Sequence, residues 1–201
     1  NSPAAPAGAV PQPASTPAPR KGARRMADVP PDVLHRLHAG EYESATLAEI
    51  LAMDFAALMA SFRPALHVPA KRAFELDGKR LGVLERMRLA AHLLTEAEGH
   101  DWIAQAAAHP SDTVRGWACY GIAARAMKLK PRLALIKPLA DDRHSGVREW
   151  AWIAIRPAVL AELDQAITLL TPWTAHASPN IRRFASEITR PRGVWCAHAP
   201  S

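Results

Sequence analysis

Apolar residues recur along this chain at helical intervals, and nowhere do they alternate with polar ones over a useful length. After the capping-box pattern Thr46-Leu-Ala-Glu49, the positions Leu47, Ile50, Leu51, Phe55, Leu58, Met59 and Phe62 keep helical spacing until Pro64. Leu81, Leu84, Met87, Leu89, Ala91 and Leu94 predict another long helix. Order is expected to begin near Pro30-Pro31, because proline suits a first helical turn and Gly40 can end the helix. Further apolar periods predict helices over roughly 99–108, 131–140 and 164–175. Each is followed by a second helix, for which Asp112 and Ser178 are N-cap candidates, with Pro179 suited to the first helical position. The pattern predicts an all-α chain.

The second helix of each pair carries one repeated signature. It reads Asp112-Thr-Val114-Arg115-Gly-Trp117-Ala118, then Ser145-Gly-Val147-Arg148-Glu-Trp150-Ala151, then Pro179-Asn-Ile181-Arg182-Arg-Phe184-Ala185, at spacings of 33 and 34 residues. A helical hairpin of this length cannot bury its apolar face alone, so such units stack into an α-solenoid. The signature favours HEAT-like repeats, of armadillo-like helical build, and the Thr-Pro-Leu-His turn of ankyrin repeats is absent. A residue repeated with the period commonly ties the repeats together, so Arg115, Arg148 and Arg182 read as structural. Trp117, Trp150 and Phe184 read as one core slot, and Trp102 and Trp173 as packing between repeats.

Composition divides the chain in three. Residues 1–27 are rich in proline and alanine, carry four basic and no acidic side chains, and read as a disordered tail. Residues 28–98 match the signature poorly and read as capping helices, followed by repeats over 99–201 with a candidate DNA-binding face. Residues 101–201 carry thirteen basic and eight acidic side chains, against eight and eleven for residues 28–100. The positive field thus lies on the repeats, and phosphate is the usual partner of such a field. Two cysteines, neither in a Cys-x-x-Cys pair, suit a reducing cytoplasm. The absence of an apolar run of ~18 residues argues against a membrane span. Beginning with Asn1 rather than methionine, the sequence reads as a fragment or a processed product.

Candidate chemistry sits on the repeat helices. Arg156-Pro157 and Arg190-Pro191 stand 34 residues apart, at the C-terminal ends of consecutive signature helices. Proline breaks a helix, so each arginine is expected to project from a helix end. Arg183, Glu187 and Arg190 fall on one stripe at i, i+4 and i+7, and Glu149, Ile153 and Arg156 hold the same stripe one repeat earlier. A Glu–Arg pair at this spacing is also an ordinary surface pair worth ~0.3–0.5 kcal/mol. Trp195 lies outside any apolar period, beside Arg190 and Arg192, and is placed to lie against a base or sugar. His35 and His38 share a helical face without further ligands, so no metal is expected. Gly-rich phosphate loops, His-Glu-x-x-His and Gly-x-Ser-x-Gly are absent from the sequence.

The run Ile181-Arg-Arg-Phe-Ala-Ser-Glu187-Ile-Thr-Arg190-Pro-Arg192-Gly-Val-Trp195 resembles bacterial DNA alkylation-repair proteins built of HEAT-like repeats, the AlkC/AlkD superfamily, closest to the AlkC side. Val147-Arg-Glu149 with Arg156-Pro157 resembles a preceding segment of that family, here with longer spacing, and the likeness spans roughly residues 100–197. The resemblance implies a monofunctional, likewise cofactor-free and metal-free, glycosylase that releases cationic N-alkylated purines of the 3-methyladenine type from duplex DNA. It also implies Glu187 as an active-site carboxylate, Trp195 against the lesion's deoxyribose, and Arg190 and Arg192 on the DNA backbone. Glu149 corresponds to a second carboxylate, and Arg156 and Arg183 join the expected DNA contacts. The partner so implied is duplex DNA containing alkylated bases, bound by a monomer near the nucleoid, with no membrane. Family members usually continue past the tryptophan motif into further repeats, whereas this sequence stops six residues after Trp195. Two rival readings remain: a DNA-binding protein without catalysis, and a protein-interaction scaffold.

Overall fold

The computed structural model describes residues 20–76 and 81–192. Every regular element among them is helical, and the helices stack into an all-α solenoid. Helix α1 (Pro31–His38) opens on proline and closes at Gly40, which takes the left-handed φ of 73°. The apolar run from Leu47 to Phe62 is two helices rather than one. Thr46 caps α2 (Leu47–Ala52), and Asp54 caps α3 (Phe55–Phe62) by accepting the N–H groups of Ala56 and Ala57. An N-cap carboxylate inside an apolar period satisfies a new set of orphan donors, so the chain restarts there. Then come α4 (His67–Leu76) and α5 (Val83–Glu98), the latter ending at Gly99.

The repeats follow as α6 (Trp102–Ala107) with α7 (Asp112–Ala124), α8 (Leu129–Ala140) with α9 (Ser145–Ala161), and α10 (Leu163–Leu170) with α11 (Pro179–Thr189). Val114, Val147 and Ile181 are buried, as are Trp117, Trp150 and Phe184, so both repeated slots do belong to the core. Trp117 faces Phe55 and Phe62 of α3, while Phe184 stacks on Trp173 at 5.6 Å between ring centres. Trp173 also receives Lys137 Nζ over its ring from the preceding repeat. The three arginines of the signature share one task. Arg115 Nη1 donates to the carbonyls of His109 and Pro110, Arg148 Nη1 to those of Asp142 and Arg143, and Arg182 Nη1 to those of His176 and Ala177. Each clamps the turn that leads into its own helix.

Those turns repeat as well. His109, Asp142 and His176 accept the N–H two residues on, from Ser111, His144 and Ser178, which are the true N-caps. Asp112 is therefore the first helical residue and not the cap. Its buried carboxylate instead accepts the N–H and hydroxyl of Ser44, at 2.9 and 2.5 Å. Burial raises the Asp112 carboxyl above the usual carboxylate range, opposed by the Ser44 hydrogen bonds. His144 Nδ1 accepts the Gly146 N–H, so its proton sits on Nε2 and is donated to Ser44 O at 2.7 Å. The loop 41–46 thus stands on the N-terminal ends of α7 and α9.

Two further expectations need correction. The disorder expected up to residue 27 does not hold from Arg20 onward, where the chain is seated against residues 42–49 through the buried carboxylate of Glu49. Pro157, expected to end its helix, lies inside α9, which continues to Ala161. Beyond the proline, α9 still buries Val159 completely, and that burial offsets the lost donor.

Candidate functional site

Helices α5, α7, α9 and α11 pack side by side in one row, whereas α6, α8 and α10 lean on that row more than on one another. Along this row, residues one repeat apart meet. The position after each repeat arginine is Gly116, then Glu149, then Arg183. A Cβ on Gly116 would stand 2.8 Å from Trp150 Cδ1, so the row is closed tightly there.

One repeat further, the row turns polar. Arg183 Nη2 donates to Glu149 Oε1 at 2.6 Å, joining α11 to α9. Arg183 Nε stands 4.0 Å from Glu187 Oε1 on its own helix, and Arg190 Nη1 donates to Glu187 Oε2 at 2.8 Å. The other oxygen of Glu149 accepts the indole N–H of Trp152 at 3.1 Å. The structure therefore brings Glu149, Arg183, Glu187 and Arg190 into one cluster in which a single guanidinium reaches both carboxylates. The two carboxylates are one-third and one-fifth exposed, which leaves them within reach of a partner molecule.

Trp152 was not among the expected site residues. Its spacing of three from Glu149 places both on one helical face, but the indole N–H aimed at the carboxylate is a product of packing, since the ring is otherwise buried.

Arg156 does not join the cluster. It is 1% exposed, and its guanidinium donates to the carbonyls of Glu187, Ile188 and Arg190. With α9 continuing past Pro157, the side chain turns into the protein and caps the C-terminus of α11, where a cation meets the negative end of the helix. A DNA contact by Arg156 is therefore withdrawn. Arg132 does the same for α7, donating to the carbonyls of Ile122, Ala123, Arg125 and Met127.

Arg192 is exposed just past the end of α11. Trp195 lies outside the described residues. An open groove lined by Ala134, Lys137, Pro138, Asp141, His176 and Ile181 shares no residue with the cluster. Among the described residues no group of His, Cys, Asp and Glu is placed to hold a metal ion, and no helix is long and apolar enough to cross a membrane. Comparisons with protein-family models, with curated proteins and with solved structures found no match for this chain.

Proposed function

We propose that this protein binds duplex DNA along the α9–α11 face and excises cationic N-alkylated purines of the 3-methyladenine type, as a monofunctional glycosylase. The observation that carries this reading is the meeting of Glu149 and Glu187 through one guanidinium on a partly exposed face. An N-alkylated purine already bears positive charge and leaves readily. The remaining task is to stabilise oxocarbenium-like charge on the sugar and to position a water, which two fixed carboxylates can share. Trp152 holds one of them through its indole N–H. Arg183 and Arg190 balance the carboxylates in the free protein, and DNA phosphates compete for the same guanidinium groups.

A second reading is DNA binding without excision. It is favoured by the engagement of both carboxylates with arginine, since a paired carboxylate is a weaker partner for a developing cation. Incubation with methylated duplex DNA separates the two through the release of free 3-methyladenine and 7-methylguanine. Release above a protein-free control is expected. Glu187→Gln should reduce it at least ~10²-fold, about 2.7 kcal/mol of transition-state stabilisation, while helical content and DNA affinity stay close to wild type. Binding without release selects the second reading, and no DNA binding overturns both.

A further inference from the structure

Residues 20–23 lie in a groove walled by residues 42–49, and their contacts specify side chain and backbone alike. Arg20 forks onto Glu49, with Nη1–Oε1 at 2.6 Å and Nη2–Oε2 at 2.7 Å, and Nη2 also donates to Glu43 O at 3.2 Å. Its guanidinium stands 5.7 Å from the centre of the Tyr42 ring. Glu49 is fully buried and also accepts the N–H groups of Ala45 and Ala23, at 2.7 and 3.3 Å. Across the groove the Thr46 hydroxyl donates to Ala23 O at 2.6 Å. Between these anchors sits Gly22. A Cβ there would come within 2.6 Å of Thr46 Cγ2, 2.7 Å of Ala45 Cβ and 3.0 Å of Glu49 Oε1.

Each contact selects something. A bidentate carboxylate selects guanidinium over ammonium, because only the planar fork matches both oxygens. The Gly22 approach admits no side chain. The Ala23 N–H and C=O are both read, which sets the direction of the bound segment. A carboxylate buried this completely is strongly disfavoured unless such a partner meets it. Burial pushes the Glu49 carboxyl up, and Arg20 with the two N–H groups outweighs it and holds the carboxyl below the usual range. The loop that forms the groove is itself fixed to the repeats, by Ser44 on Asp112 and His144 and by Glu43 on Arg115 and Arg143. It is a rigid receptor.

We propose that this groove is a binding site for an Arg-x-Gly-Ala peptide segment, filled in cis by residues 20–23 and able to take the same segment from a second copy of this chain once the cis segment is withdrawn. The sequence distance favours such an exchange, since residues 20–23 reach the groove without belonging to any helix.

The test uses the full chain carrying Arg20→Ser and Gly22→Val, which cannot seat its own segment. A labelled peptide, Arg-Lys-Gly-Ala-Arg-Arg, copies residues 20–25 and is followed by fluorescence anisotropy. Saturable binding to this variant is expected, with none to wild type, where the tethered segment competes at an effective concentration on the order of millimolar. Peptides carrying Arg20→Lys or Gly22→Val should bind at least about tenfold more weakly. Equal binding of all three peptides, or of wild type and variant, would show only charge attraction and overturn the site. If the variant is partly unfolded, ligand linkage still reads the site, since the parent peptide must raise its Tm and an unmoved Tm overturns the proposal. In wild type, the Ala23 N–H should exchange with solvent far more slowly than an open chain. Exchange at the open-chain rate would likewise sink it.

Discussion

Arg115, Arg148 and Arg182 show how one residue type can carry a repeat. Each reaches back five and six residues to two carbonyls that no helix satisfies, so the entry turn is held by a charge-assisted fork. Arg115 does most, since it is buried and also bridges Asp142 and Glu43. Lysine has one nitrogen and cannot meet these partners at once. Arg115→Lys is therefore expected to cost about 3 kcal/mol and to lower Tm by roughly 6–12 °C in thermal denaturation. Their recurrence at the repeat period made a structural role legible in the sequence, but their acceptors are turn carbonyls, which no side-chain pattern records. Glu49 gives a pH dependence at the same scale. Its carboxyl lies below its ordinary value in the fold, so the unfolded chain binds the proton more readily. The stability it contributes is complete above the unfolded value of 4.5 and is lost as pH falls through the depressed folded value. Tm should fall on acidification below that point, and the fall should be shallower in Glu49→Gln. An unchanged slope would remove Glu49 from the acid response.

At the scale of helices, close spacing is set by what is missing from α7. Gly116 sits mid-helix, where alanine would ordinarily be favoured by about 1 kcal/mol. Here a methyl group would meet the Trp150 indole at 2.8 Å, on a ring that is itself buried against its neighbours. Overpacking then outweighs propensity. Gly116→Ala should lower stability by roughly 1–3 kcal/mol in denaturant titration, and a gain would show that α7 and α9 can part at little cost. Helix α9 teaches the complementary lesson. Its sequence contains a breaker at Pro157, yet the helix persists because stopping there would expose Val159. Local propensity is a weak prior once a neighbouring helix offers burial.

For the whole molecule, positive charge and exposed positive charge are different quantities. Arg115, Arg132, Arg148, Arg156 and Arg182 direct their guanidinium groups at backbone carbonyls, whereas Arg183, Arg190 and Arg192 are exposed at the end of the row, the first two paired with Glu149 and Glu187. If DNA binds there, affinity should fall steeply with salt, by about 0.9 in log–log slope for each phosphate met. Arg190→Ala and Arg192→Ala should each reduce that slope by about one, whereas Arg156→Ala should lower Tm and leave the slope unchanged. A slope that follows Arg156 instead would return it to the interface. The helical class, the repeat period, the buried Val/Ile and aromatic slots, and the shared stripe of Arg183, Glu187 and Arg190 were all legible in the sequence alone. They follow from covalent spacing on a helix of fixed pitch, which needs no knowledge of neighbours. The pairing of Arg183 with Glu149, the burial of Arg156 behind α11 and the seating of Arg20 on Glu49 were decided only by the tertiary structure. Each depends on which helices lie side by side and how each is rotated, and side-chain direction across a packed interface is not written in the spacing of a single chain segment.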